Sequence, residues 1–311
     1  MPRMRFLLLF AALWMLPACA SKGYRIVDSS AEEKQPNTVR VAMLHLGARK
    51  NGRETEESAL ADLAYNTGEA EKLIRIAAER GAQMVITPEY GNTGNLIPER
   101  ARPWLSTSLP EPSRTPLFFA RHEGVHAYVL KYARLAAELK IWIVTDVMER
   151  DVVEGETKYY NCGLVIDDRG CVRATYRKMY LWAMTEMALE PGTQPTVFET
   201  PFGRFGMLIC SDALAPGLWT DLVNGGADFI IMQSHWAPTP YVGTFAMGNV
   251  AGYSGKTVLW SNHPGFLAGG AGVIRPGFGN DTSIGTFGRA GVVIDDLEIP
   301  DPTDAVAKTP R

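Results

Sequence analysis

Three stretches of this chain end an apolar run on a side chain that can do chemistry. They are "VITPEYG" with Glu89, "ATYRKMYLW" with Lys178 and "GMLICSDAL" with Cys210. A thiol is a good nucleophile only as thiolate, and an unperturbed cysteine is mostly protonated near neutral pH. A nearby ammonium favours the thiolate, and a carboxylate can carry the proton away. If such a thiol attacks an amide carbonyl, negative charge appears on the oxygen. An ammonium and a backbone N–H can hold that charge, one such donor contributing roughly 3–4 kcal/mol. The carboxylate can then protonate the departing amine and activate water. Taken singly, each residue has an ordinary reading: a loop glutamate, an exposed strand-end lysine, a small core thiol.

The elements that must position these groups alternate along the chain. "TVRVAMLHLG" (Thr38–Gly47) reads as a buried strand, and Leu60, Leu63, Thr67, Ala70, Ile74 and Ala77 mark one face of a helix stopping near Gly81. Ala82–Gly91 reads as a strand broken by Pro88, Val125–Leu139 as a second amphipathic helix, and "IWIVTDVMER" as the next strand. A hairpin follows, Tyr159–Ile166 against Cys171–Arg177, turning at Asp168–Arg169. In that register Cys162 faces Thr175 and Cys171 faces Ile166, which disfavours a disulfide between them. Arg177 points to the opposite face of its strand from Lys178. "TVFETPFGRFGMLIC" predicts a linked strand pair ending on Cys210. Helices near Leu218–Asn224 and Val242–Ser254 flank the strand "DFIIMQ", and "TVLWSN", Ala271–Ile274 and Gly291–Ile294 supply later strands. Strands alternating with helices predict a layered α/β domain with mainly buried strands. Only Ile97–Arg121 is long and irregular, as lids and binding loops often are.

Hydrophobic residues make up 46% of the 311 and charged residues 21%, an ordinary globular balance, and the net charge of −3 gives no reason to expect nucleic acid as a partner. The N-terminus is different. Arg3 and Arg5 precede the apolar run Phe6–Leu16, then Leu16-Pro17-Ala18-Cys19. A basic segment, a short apolar segment and small residues describe a secretory signal. With a cysteine directly after "LPA" it resembles a bacterial lipoprotein signal, cut before Cys19 and lipidated there. Residues 1–18 are then the signal, 19–37 a polar tether and 38–311 one domain. Acyl chains at one point suffice for stable anchoring, which implies a location in the bacterial cell envelope, on the periplasmic or extracellular side of a membrane. Cys162, Cys171 and Cys210 remain, an odd count that leaves at least one free thiol. No Cys/His cluster has zinc spacing.

In this order and with these neighbours, the three motifs resemble the nitrilase, or carbon–nitrogen hydrolase, superfamily. That pattern has a glutamate in a strand–Pro-Glu segment, a lysine after a hairpin strand and a cysteine in G-x-x-I-C-x-D. "NGGADFIIMQSHW" is similar to the family's helix–strand after the cysteine, and "GGAGVIRPG" to its late hairpin. The resemblance runs from about Thr38 to about Asp295. It is strongest to the vanin and biotinidase branch, through "LPEPSRTPLFFARHEGVHAYVLKYARLAAELKIWIV" and "KYYNCGLVIDDRGCVRATYRKMYLW". This chain carries Trp182 where that branch usually has Phe, and a distinct pocket stretch, "SHWAPTPYVG".

The resemblance implies an α-β-β-α sandwich and a Cys210–Glu89–Lys178 mechanism that cleaves a linear, non-peptide amide without metal or cofactor. It makes Glu186 a match for the extra glutamate that orients the lysine or the amide, and places His235, Trp236 and Trp182 along the substrate pocket. Asp212 reads as support for the turn after Cys210. Sheet extension into a homodimer is common in the family. Two other readings stay open: a catalytically silent binding or scaffold lipoprotein of the same fold, and an acyltransferase or nitrilase using the same three groups.

Overall fold

The computed structural model describes residues 23–95, 97–119, 122–236, 242–264, 270–277, 281–284 and 289–301. In chain order the elements are β1 (Arg25–Asp28), β2 (Thr38–His45), α1 (Glu56–Glu79), β3 (Met84–Ile86), α2 (Arg102–Leu105), α3 (Ala127–Leu139), β4 (Trp142–Val153), β5 (Glu156–Ile166) and β6 (Val172–Arg177). Then come β7 (Val197–Thr200), β8 (Gly203–Ile209), α4 (Pro216–Asn224), β9 (Phe229–Gln233), α5 (Val242–Ser254), β10 (Thr257–Ser261), β11 (Ala271–Ile274), β12 (Thr282–Ile284) and β13 (Gly291–Glu298). The strands form two sheets, ordered β1-β13-β2-β3-β4-β5-β6 and β12-β11-β10-β9-β8-β7.

Side-chain alternation explains why the sheets stack. In β2, Val39, Val41 and Met43 face the other sheet, while Ala42 and Leu44 face α1 and α3. In β8, Phe205, Met207 and Ile209 enter the inter-sheet core, and Leu208 joins the layer under α4 and α5. Period-2 strands with both faces apolar must be covered on both sides. Three apolar layers result, and the architecture is the α-β-β-α sandwich. Gly163 on β5 lies at the sheet–sheet contact, where a Cβ would force the end of the Met207 side chain to move. Helix α1 starts on Thr55, whose hydroxyl accepts from Ser58 N, and stops before Gly81, whose φ is 80°.

Three local expectations change. Residues 25–28, within the stretch read as tether, form an edge strand parallel to β13, with Arg25 opposite Gly291 and Asp28 opposite Ile294. Their weak alternation concealed this, because their pairing partner lies at the far end of the chain. The irregular stretch after Ile97 contains the short helix α2. The β5–β6 register shifts by two along Cys162–Val165 and by one at Ile166. Cys162 faces Arg177 and Ile166 faces Val172, because the turn closes through Asp167 N to Cys171 O at 2.9 Å and a bulge follows at Val165/Ile166. Asp167 Oδ1 accepts from the N–H groups of Arg169 and Cys171, so its side chain sets the longer turn. Cys162 and Cys171 are buried free thiols. The signal residues 1–18 and Cys19 lie outside the described residues, and no helix among the described residues is long and apolar enough to cross a membrane.

Candidate active site

The chemistry-bearing residues gather where the parallel strands β2, β3 and β8–β10 reach their C-terminal ends. Glu89 follows β3, Lys178 follows β6 and Cys210 follows β8. The two sheets are laced together there: Gln233 Nε2 donates to Thr87 O at 2.8 Å, and Ser261 Oγ to Leu44 O at 2.6 Å.

Lys178 is the hub. Its ammonium donates to Glu89 Oε1 at 2.8 Å and to Glu186 Oε2 at 2.7 Å, with all three side chains buried. Asn161 Nδ2, on β5, bridges the same carboxylates at 2.8 Å and 2.7 Å. The remaining oxygens are also filled. The His235 N–H donates to Glu89 Oε2 at 2.8 Å, and the Tyr90 hydroxyl to Glu186 Oε1 at 2.6 Å. Trp182 N completes Glu186 at 2.6 Å. The Cys210 thiol lies close enough to Glu89 and Lys178 for both charges to act on it.

Burial and charge separate the two glutamates. Burial raises the Glu89 carboxyl above its ordinary range, with Lys178 opposing that and the Glu186 charge adding to it. For Glu186 burial pushes the same way but is outweighed by Lys178 and by the N–H of Trp182, so its carboxyl is held low. Glu186 is therefore the fixed counter-ion, and Glu89 is the carboxylate able to exchange a proton. Burial works against the Lys178 ammonium, yet Glu89, Cys210 and Glu186 hold its pKa above the ordinary value. Burial, then the Glu89 charge, pushes the Cys210 thiol well up. The thiol thus rests protonated.

Backbone geometry presents the thiol. Cys210 has φ 49°, a left-handed conformation that costs a non-glycine residue about 1–2 kcal/mol. Asp212 holds the turn in place by accepting from Ile209 N at 2.8 Å, Tyr180 N at 2.9 Å and Tyr176 Oη at 2.8 Å. Tyr90, next to Glu89, is the second left-handed residue of the site, with φ 52°, and its N–H is held by Asp146 Oδ1 at 2.7 Å.

Among the residues read as pocket-lining, Glu186 and His235 join the cluster. Trp182 touches it through its backbone N–H, and its ring is exposed. The Trp236 ring packs against the apolar layer under α4 and α5, while the Trp236 backbone N–H donates to Asn262 Oδ1 at 3.1 Å. The stretch 237–241, part of the distinct pocket motif, lies outside the described residues. Asn161, Tyr90, Asp146 and His263 were missed, although an asparagine inside the apolar run of β5 was a visible signal. His263 Nε2 sits 2.5 Å from Glu89 O.

Arg177 points away from the site as expected. It binds Glu149 through Nε and Nη2 at 2.7 Å each, reaches Asp151 at 2.7 Å and lies 3.8 Å over the Tyr160 ring. Arg177→Met is expected to cost about 1–2 kcal/mol of stability and to leave turnover unchanged. Urea denaturation with a steady-state assay checks both halves, and a fall in kcat comparable to that of Lys178→Met overturns the assignment.

The sequence matches the carbon-nitrogen hydrolase family over residues 41–248, well over half the chain. It is 30% identical to a nitrilase of Pyrococcus abyssi over 53% of this chain and 56% of that protein. It is 27% identical to the pantetheinase of Canis lupus familiaris over 78% of this chain and 48% of that one. The chain spans about half the length of these curated relatives. An amidase from Nesterenkonia sp. shares the fold, with a TM-score of 0.67 at 20% identity, covering 90% of this chain and 99% of that one. With the family's sequence pattern, its sandwich and a pantetheinase among its relatives, this chain belongs to the carbon-nitrogen hydrolase family of the nitrilase superfamily.

Proposed function

We propose that the protein is a lipid-anchored amidohydrolase that cleaves the C–N bond of a linear, non-peptide amide through a thioester on Cys210. The observation that carries this reading is the buried hub in which Lys178 bridges Glu89 and Glu186, with Cys210 presented at the end of β8 beside it. Glu89 takes the thiol proton as sulfur bonds to the carbonyl carbon. The Lys178 ammonium faces the negative charge that forms on the oxygen. Collapse breaks the C–N bond, and the proton held by Glu89 goes to the leaving nitrogen, which departs as a neutral amine. Glu89 then deprotonates water, the water oxygen bonds to the acyl carbon, the C–S bond breaks, and the sulfur recovers its proton from Glu89. Glu186 stays ionised throughout and keeps Lys178 charged and aimed.

Amide rather than nitrile chemistry is favoured by the pantetheinase relative, which matches a larger share of this chain than the nitrilase does. Cys19, in its lipoprotein-like context, supplies the membrane attachment, and the neighbouring signal directs the chain to the cell envelope. A panel of amides and nitriles assayed for amine or ammonia release tests the reaction. Acyl mass appearing on the Cys210 peptide during turnover of an amide is the expected result. Turnover without acylation, or on nitriles alone, overturns it.

A further inference from the structure

On the rim of the cluster lies a polar chain outside the proposed reaction. Lys50 Nζ donates to Asn95 Oδ1 at 2.6 Å, and the Asn95 amide nitrogen stands 3.0 Å from His235 Nδ1. The segment carrying Asn95 is built rather than loose. Arg53 donates to Thr93 O at 2.8 Å and to Asn95 O at 2.5 Å, and Gly94 adopts φ 65° where a Cβ would press on Arg53 and Lys50.

This chain fixes a tautomer. An ammonium can only donate, so Asn95 must turn its oxygen to Lys50 and its NH₂ to His235. His235 Nδ1 then accepts and carries no proton, which leaves the proton on Nε2. The ring stays neutral, because burial and then the Lys50 charge bring its pKa down to about 4. The ring also meets His263 edge-on, with centroids 4.2 Å apart. Its own backbone N–H reaches Glu89, so the ring stands beside the proposed reacting centre.

Charge on this rim is one-sided. Arg49 has Asp62 as partner at 2.6 Å, and Arg100 pairs with Glu54, but no carboxylate pairs with Lys50 among the described residues. Arg53 lies close enough to push the Lys50 ammonium toward deprotonation, after burial. An exposed cation with a cationic neighbour and a neutral imidazole N–H donor form a receptor for an anion.

We propose that Lys50, together with the Nε2–H of His235, binds a carboxylate on the substrate, so that the amide cleaved carries an acidic group a few bonds from its carbonyl. The inference rests on the amidohydrolase reading above and adds its substrate class. Lys50 then sets specificity: its charge pairs equally with ground and transition state, so its loss appears in KM and not in kcat.

The test uses two short amides identical except that one ends in a carboxylate and the other in its methyl ester. Binding is measured by calorimetry on Cys210→Ala, with and without Lys50→Met, and turnover on the chain with Cys210 intact. The acid is expected to bind more tightly than the ester, and Lys50→Met to weaken the acid roughly 10- to 100-fold while leaving the ester unchanged. Lys50→Arg should restore part of the difference, and added salt should weaken the acid only. Equal affinity for acid and ester, or equal losses of both in Lys50→Met, overturns the inference while leaving the catalytic reading intact. Preferential binding of the acid without turnover of either amide sinks the catalytic reading instead.

Discussion

Replacing Cys210 by alanine is expected to leave a folded protein whose amide hydrolysis has fallen by roughly 10⁶-fold, the scale on which an enzyme loses its covalent nucleophile. Folding should survive because the thiol packs only at the edge of the inter-sheet core. The Cys210 side chain is only partly buried, and the turn that carries it is tied down by Asp212 through Ile209, Tyr180 and Tyr176. Serine should fare little better. Its hydroxyl is far less acidic than a thiol, so the Glu89 carboxylate takes its proton much less readily. The left-handed φ of 49° adds a thermodynamic signature. Glycine adopts that conformation without strain, so Cys210→Gly should be more stable than Cys210→Ala by about 1 kcal/mol, though equally inactive. Circular dichroism, thermal unfolding and amine release on purified variants check the set. Appreciable turnover in Cys210→Ala would falsify the thioester route. A glycine variant no more stable than alanine would remove the strain argument alone.

The second large effect separates Glu89 from Lys178. Glu89→Gln removes the proton carrier from both half-reactions, and losses of roughly 10²–10⁴ are expected. The amide is not a neutral replacement here. Lys178 and Asn161 donate to one oxygen and His235 N to the other, so the new NH₂ must face a donor whichever way it turns. A stability cost of about 1–3 kcal/mol follows from that clash. Lys178→Met acts differently. It should lower the acylation rate by roughly 10²–10³ with little change in substrate binding. It also leaves two buried carboxylates bridged only by Asn161, at a cost of about 3–5 kcal/mol. The pH profile carries the sign. Lys178 favours the charged form of Glu89, so its removal raises the Glu89 pKa further. The base form is then lost at higher pH, and the acid limb of kcat/KM must move upward. Single-turnover acylation followed by mass spectrometry across pH decides. A limb that stays in place, or moves down, takes Lys178 out of contact with the working base.

Glu186 shows how far residue types alone could reach. In the sequence it is one carboxylate in a loop, "WAMTEMALEPG", and only the family resemblance suggested a role. The fold makes it the fixed counter-ion by bringing it Lys178, the Tyr90 hydroxyl, Asn161 and the Trp182 N–H at once. Trp236, just after β9, packs its ring against the apolar layer under α4 and α5, a contact that its position in the sequence did not record.

The amino-acid sequence by itself determined the alternation of strands and helices, the strand-end positions of Glu89, Lys178 and Cys210, and the opposite facing of Arg177. These depend on short-range patterns: side-chain period within an element, and the polar residues at which an apolar run must stop. Only the tertiary structure decided which carboxylate keeps its charge, why the thiol rests protonated, and which way the Asn95 amide and the His235 proton point. Each of those depends on burial and on partners far apart in the chain. Glu89 and Lys178 are 89 residues apart, and Glu89 and His235 are 146. Desolvation and Coulomb interaction act through space, so no local pattern records them. The same holds for β1, whose four residues become a strand only because β13 lies beside them.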